Sequence, residues 1–487
     1  MNFKSSGFNF DNSYLNLNSV MYTKMSFKNT YNATIELLNE NLASELGISI
    51  EYLKSNNGIK LLSGSTNDEY TSTYAQAYSG HQFGHLSVLG DGRALMLGEQ
   101  ITPIGARYDI QLKGSGRTPY SRSGDGKATL YSMLREYIIS EAMYALDIPT
   151  TRTLSVLKTN EKVQRTTKHS GAILSRVAKS HIRFGTFTHA LTHGGNKTVK
   201  ELADYTINRH YKHLSNESDK YLRFLSEVLE NQASLIAKWQ SVGFIHGVLN
   251  TDNVLVSGET IDYGPCAFMN NYDPKTVFSS IDRNGRYSYN NQPFMMSWNL
   301  ARFTETIMGL FDENKEIALL KANNELAKFE EVYNKEWLKH MGLKIGIENP
   351  LESDKILIEG LFELMLLHQE DFTNTFRFLT TDDYLSIKMN SKKEFKDWIT
   401  IWKQRLQNGN VSPKEAKTIM MKNNPIIIPR NNLIEEALIS ASSDNDYTLF
   451  NEFLGLLNDP FNYKKEYQEK YVVANKEEDG YVTYCGT

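Results

Sequence analysis

His246-Gly-Val-Leu-Asn-Thr-Asp252-Asn253-Val-Leu-Val256, followed beyond a Ser257-Gly258 turn by Ile261-Asp262-Tyr-Gly264, decides how this chain is read. Enzymes that move phosphate-bearing groups need three things close together: a carboxylate to manage the acceptor's proton, an Asn whose amide oxygen holds a divalent ion, and a later Asp-x-Gly whose carboxylate holds the same ion. Asp252, Asn253 and Asp262 supply these groups in that order. The run Val254-Leu-Val256 and the turn after it predict a short hairpin that sets Asn253 beside Asp262, with hard oxygen ligands suited to Mg²⁺ or Mn²⁺. A polar hairpin turn would carry the same residues, so the reading needs support from elsewhere in the chain.

Working outward, Gly90-Asp-Gly92-Arg93 precedes an apolar run at Ala94 to Leu97, the arrangement of a loop whose bare backbone approaches phosphate oxygens. Asp109-Ile-Gln-Leu-Lys113 reads as a strand ending in lysine, and an amphipathic helix is expected near Lys127 to Leu146. A strand lysine paired with a helix glutamate is the ion pair that fixes an ammonium on nucleotide phosphates in kinases. Two glutamates compete for that role: the helical wheel favours Glu141, at the centre of the apolar face, over Glu136. Between strand and helix runs the glycine-rich basic loop Gly114 to Lys127, holding Asp125 and Gly126, which delivers the chain to a helix N-terminus. Arg176 and Arg183 follow near a strand end, as planar donors suited to a terminal phosphate. The third residue from His246, where a kinase carries its catalytic Asp, is Val248, so ordinary kinase chemistry lacks its base. His81-Gln-Phe-Gly-His85 has metal-like spacing, but Gly80 and Gly84 oppose a helix, and both histidines are expected in a loop.

The wider composition is that of a globular protein. The chain has 487 residues, with 40% hydrophobic and 23% charged residues and a formal net charge of −4. That balance argues against a duplex-wrapping protein, so no nucleic-acid partner is expected. Two cysteines, Cys266 and Cys485, are too few for a disulfide framework, although a link between them could tie the tail to the site. The first twenty residues hold no apolar leader-like run, and no stretch reaches a membrane span, so a cytoplasmic monomer without membrane contact is expected. Texture divides the chain into an Asn-rich N-terminal extension (1–70), a glycine-punctuated core (71–302) and a helical remainder with a flexible tail (303–487). Strand-like runs occur at Ala94 to Leu97, Tyr108 to Leu112, Leu154 to Leu157 and Ala172 to Val177. Long helical patterns occur near Tyr221 to Trp239 and along Leu319, Ala322, Leu326, Phe329, Tyr333 and Trp337. Ser412-Pro-Lys-Glu415 reads as a capping box.

These motifs resemble the selenoprotein O family, protein adenylyltransferases built on a pseudokinase fold. The resemblance runs from Phe10-Asp-Asn-Ser-Tyr14 through Gln76 to Gly84, Gln111 to Pro119 and His246 to Asn253, and on through Tyr272-Asp-Pro274 to Arg302. It implies an α+β fold with a protein-kinase-like two-lobed core, and ATP lying in the cleft flipped end for end, so that AMP passes to a protein hydroxyl and pyrophosphate leaves; UMP from UTP is the parallel reaction. The nucleotide contacts it implies are Gly90, Gly92, Arg93, Lys113, Asp125, Gly126, Arg176, Arg183 and Asp262. Asp252 is implied as general base, Asn253 and Asp262 as the metal pair, and Glu136 as the partner of Lys113. The family's selenium position is matched by Cys485. A phosphotransferase and a non-catalytic ATP-binding scaffold are the competing classes, the first disfavoured by Val248, the second by retention of Lys113, Asn253 and Asp262.

Overall fold

The computed structural model describes residues 6–26, 31–66, 72–381, 387–473 and 480–484. Its strands are β1 (Tyr22–Lys24), β2 (Thr34–Leu38), β3 (Tyr74–Gln76), β4 (Ser79–Gln82), β5 (His85–Val88), β6 (Ala94–Ile101), β7 (Arg107–Lys113), β8 (Ala128–Thr129), β9 (Arg152–Gln164), β10 (Lys168–Ala178), β11 (Phe244–Ile245) and β12 (Ala267–Phe268), the last two paired with each other. Eight of them make one large antiparallel sheet in the order β1-β3-β6-β7-β10-β9-β2, with β8 on β10, while β4 and β5 form a separate hairpin. All four strand-like runs of the sequence fall inside this sheet. Ala94 to Leu97 is apolar throughout because both faces of the sheet are covered, whereas Asp109, Gln111, Ser155, Ser175 and Arg176 interrupt the other runs and are buried with polar partners. Leu95 and Leu97 pack on one side with Leu42, Leu46, Leu53 and Leu61 from short N-terminal helices, whereas Met96 joins Leu134 and Ile138 on the other.

The N-terminal segment is woven into this sheet. β1 pairs with β3 along Tyr22↔Gln76 to Lys24↔Tyr74, and β2 pairs with β9 from Thr34↔Lys158 to Leu38↔Ser155, so residues before position 40 provide both outer strands.

The helix Leu130–Ala145 starts at a Thr129 cap that accepts from Ser132 N, and lies buried against β9 and β10. The helices Phe184–His210 and Lys220–Ser241 follow, and past residue 292 the described chain is almost entirely helical. The expected capping box at Ser412 and Glu415 is present. The stripe beginning at Leu319 belongs to two helices, Lys315–Leu326 and Phe329–Lys344. In the first of them Ala318, Ala322 and Glu325 face inward, which leaves Leu319 half exposed. A second aromatic core, including Phe372, Phe376, Trp398 and Trp402, holds this region together. No helix among the described residues is long and apolar enough to cross a membrane.

Candidate active site

Three basic side chains converge on one carboxylate. β7 ends at Lys113, β10 carries Arg176, and the segment leaving β10 ends at Arg183, just before the helix Phe184–His210. Lys113 Nζ lies 2.7 Å and Arg176 Nη1 2.8 Å from Asp262 Oδ1, and Arg183 Nη1 lies 2.9 Å from Oδ2. The helix Leu130–Ala145 adds Glu136, which pairs with Lys113 and lies 3.2 Å from Arg176. Burial opposes charge on Asp262, but Lys113, Arg176 and Arg183 outweigh it and hold the carboxyl well below the usual range. Asp262 also sits at φ +65°, a left-handed conformation uncommon for Asp that the surrounding ion pairs help to hold.

Glu136, and not the wheel's choice Glu141, is therefore the partner of Lys113. Glu141 is buried too, but it serves Arg152 at 2.7 Å and accepts from Asn39 at 2.8 Å. A wheel ranks residues by burial; which strand faces each turn of the helix depends on tertiary placement.

Beside this cluster runs the quoted stretch. His246 is fully buried, stacks on Trp239 and donates from Nε2 to Ile261 O at 2.8 Å, tying the stretch to the segment that carries Asp262. Asn253 donates from Nδ2 to Val248 O at 2.8 Å, which orients its amide oxygen the other way. Asp252 is 8% exposed, and its Oδ1 has no hydrogen-bond partner among the described residues. Burial pushes its carboxyl up to about 6 against the pull of Arg183, whose guanidinium bonds Asp252 O. The hairpin expected at Val254 to Val256 is absent: Leu255 bridges to Arg183 and Thr260 to Thr150, because neighbours distant in sequence capture these backbone groups.

Among the remaining sequence candidates, the glycines sit in tight loops. Gly90 has φ +126°, and a Cβ there would lie 2.5 Å from the Tyr120 ring, so the loop closes only over glycine. Gly92 packs on the Tyr120 and Ser121 backbone, and Arg93 directly precedes β6. Gly126 has φ +72° and packs against the Gly116 backbone. Asp125 caps Lys127 N at 2.9 Å and pairs with Arg165 at 2.9 Å, on the outer side of its loop. Cys266 is buried, and desolvation pushes its thiol up to about 12, so it is not a thiolate; Cys485 lies outside the described residues.

Two residues that motif reading passed over join the cluster. Arg176 Nη2 donates to Gln111 Oε1 at 2.6 Å, and Gln111 Nε2 donates to Asp91 Oδ2 at 3.0 Å. Gln111 stands two residues before Lys113 on the same strand face, a period-two signal that was available in the sequence. The two histidines expected in a loop lie on β4 and β5, with His81 Nδ1 3.2 Å from Thr251 Oγ1.

Comparison with known proteins places the chain in a family. The family model described as protein adenylyltransferase SelO matches residues 5–458. The protein nucleotidyltransferase YdiU of Clostridium botulinum (strain Alaska E43 / Type E3) is 52% identical over 479 residues, 98% of each chain. That of Clostridium perfringens (strain SM101 / Type A) is 50% identical over 487 residues, covering 100% of this chain and 99% of the relative. That of Bacillus thuringiensis (strain Al Hakam) is 50% identical over 481 residues, 99% of each. The class defined in this way is nucleotidyltransferase, an enzyme. Within that class, the chain belongs to the SelO family of protein adenylyltransferases.

Proposed function

We propose that this enzyme transfers AMP from ATP to Ser, Thr or Tyr hydroxyls of proteins and releases pyrophosphate, using a kinase-like two-lobed core (71–302) flanked by the N-terminal extension (1–70) and the helical region (303–487). The observation that carries the reading is the convergence of Lys113, Arg176 and Arg183 beside a buried Asp252 with an unpartnered oxygen. Lys113, Arg176 and Arg183 present their donors to the Glu136 and Asp262 carboxylates, and the same donors suit the oxygens of a polyphosphate. In the reaction the acceptor oxygen attacks the α-phosphorus and the bond from that phosphorus to the bridging oxygen of the β-phosphate breaks. The hydroxyl proton goes to Asp252, and the negative charge on pyrophosphate is met by the three cations, each of which is worth about 10² or more in rate when preorganised. Gly90, Gly92 and Gly126 offer close backbone approach, and Arg93 and Asp125 complete the nucleotide contacts. UTP would be handled by the same phosphate contacts.

The donor set fits Mg²⁺ or Mn²⁺. Asp262 is held ionised and the Asn253 amide is oriented by Val248, both hard oxygen donors. Among the described residues no group of three or more His, Cys, Asp or Glu gathers to hold a metal unaided, so phosphate oxygens would complete the shell. When bound, the ion would offset phosphate charge.

ATP labelled at the α- or the γ-phosphate tests the proposal. Label entering protein from the α position alone is expected; entry from γ alone means a kinase, and entry from neither means an ATP-binding scaffold.

A further inference from the structure

The ion pairs of Arg176 hold only one end of its guanidinium. Nη1 lies 2.8 Å from Asp262 Oδ1 and 3.2 Å from Glu136 Oε1, whereas the buried Nε has no hydrogen-bond partner among the described residues. Pinned at Nη1 alone, the planar group could still tilt. Its other end is held by Gln111, which stands directly opposite Arg176 where β7 pairs with β10, so that the two side chains share one face of the sheet. Arg176 Nη2 donates to Gln111 Oε1 at 2.6 Å, and Gln111 Nε2 donates to Asp91 Oδ2 at 3.0 Å.

A carboxamide suits both neighbours. A guanidinium offers donors alone and an ionised carboxylate acceptors alone, so the amide between them has one orientation, oxygen to Arg176 and nitrogen to Asp91. Burial raises the Asp91 carboxyl to about 6 against the pull of Arg183, which leaves it ionised at neutral pH. Asp91 is also the one side chain of the Gly90-Asp91-Gly92 turn, and it anchors that turn. Its Oδ2 accepts from Gln76 N at 3.0 Å, its N donates to Gln76 O at 2.9 Å, and its O accepts from Thr118 Oγ1 at 2.6 Å. Asp91, Gln111 and Arg176 are all buried, so water cannot replace a lost bond.

We propose that Gln111 and Asp91 are positioning residues for nucleotidyl transfer, which fix the direction of the Arg176 guanidinium and tie that direction to the glycine turn. Neither needs to touch the nucleotide. Their effect reaches the reaction through Arg176, because a donor preorganised for the leaving phosphates loses on the order of 10² in rate when displaced by about 1 Å. The inference rests on the reading under Proposed function, in which Arg176 meets pyrophosphate.

The test separates that reading from this one. Gln111→Met keeps the length of the side chain and removes both bonds; Asp91→Leu removes the acceptor, and Asp91→Asn restores an oxygen toward Gln76 N and Gln111 Nε2. By α-label incorporation, Gln111→Met and Asp91→Leu should each lower kcat/KM for ATP about tenfold or more, while Asp91→Asn should come within about threefold of the parent. In an Arg176→Ala background, Gln111→Met should change kcat/KM by less than about twofold, because a residue that acts through Arg176 has nothing left to position. Affinity for inorganic pyrophosphate, read by calorimetry on the same proteins, should follow the same pattern. Losses that multiply in the double variant, or Asp91→Asn as poor as Asp91→Leu, would overturn the positioning role and leave Gln111 as packing within the sheet. Should Gln111→Met not fold, the two Asp91 variants in the parent and Arg176→Ala backgrounds carry the same comparison. Absence of α-label with the parent counts against the transfer reaction, while pyrophosphate affinity, which needs no turnover, still decides the positioning.

Discussion

Asp262 accepts from three cations at once, so its loss acts on structure as well as on chemistry. From sequence position alone Asp262→Ala should remove activity and leave the fold intact. With Lys113, Arg176 and Arg183 left facing one another, it should also cost about 2 kcal/mol of stability, a figure reduced because the carboxyl is 24% exposed. Thermal denaturation beside a transfer assay checks both parts. Asp252→Asn isolates chemistry: it keeps the side chain's shape and removes the proposed proton acceptor, so transfer should fall by about 10² or more while ATP affinity by calorimetry holds. The site was legible as a list of residue types in order, because the chemistry fixes which groups must be present. What the list could not give is that the three cations share one carboxylate, or that Asp91 and Gln111 stand behind Arg176. Those contacts join strands whose pairing is set by the whole sheet.

At the scale of elements, β6, β7, β9 and β10 were readable because burial on both faces made them rich in apolar residues, continuous at Ala94 to Leu97 and broken only by single or paired polar residues in the other runs. β1 and β2 were not, since edge strands in an Asn-rich segment owe their conformation to β3 and β9 rather than to their own side chains. The β4–β5 hairpin was hidden for a related reason: its glycines exclude a helix, but it has few β-branched residues to announce a strand. Its seat depends on another glycine, Gly185 in the first turn of the helix Phe184–His210, where a Cβ would fall 1.8 Å from Ser79 O. Backbone cannot yield that distance cheaply, so Gly185→Ala should displace β4 from Asp252. Transfer is expected to fall about tenfold or more, and thermal stability by about 1–3 kcal/mol, in paired activity and melting measurements.

The whole molecule carries a pH dependence set by a residue outside the candidate site. Lys344 is buried in the second core, 4.2 Å from the Phe376 ring centre, and desolvation lowers its pKa to about 7. The unfolded chain still binds that proton up to about 10.5, so the cost of burying the charge is complete below pH 7 and is relieved as pH rises from 7 toward 10.5. Lys344→Met should therefore stabilise the protein most at pH 6, by on the order of 3–5 kcal/mol, with the gap to the parent narrowing as pH rises, a difference that melting curves across pH would show. Another consequence follows from the first forty residues, which supply both outer strands of the sheet. During synthesis they emerge before the strands they pair with: β2 must wait for Ser155–Lys158, and β1 for Tyr74–Gln76. At about 5–20 residues per second the nascent chain spends seconds holding strands that have nowhere to go. A shortened protein starting at residue 40 would not be trimmed of an appendage: it would expose β3 and β9 as raw edges, and its soluble yield beside the full chain should drop through intermolecular strand pairing.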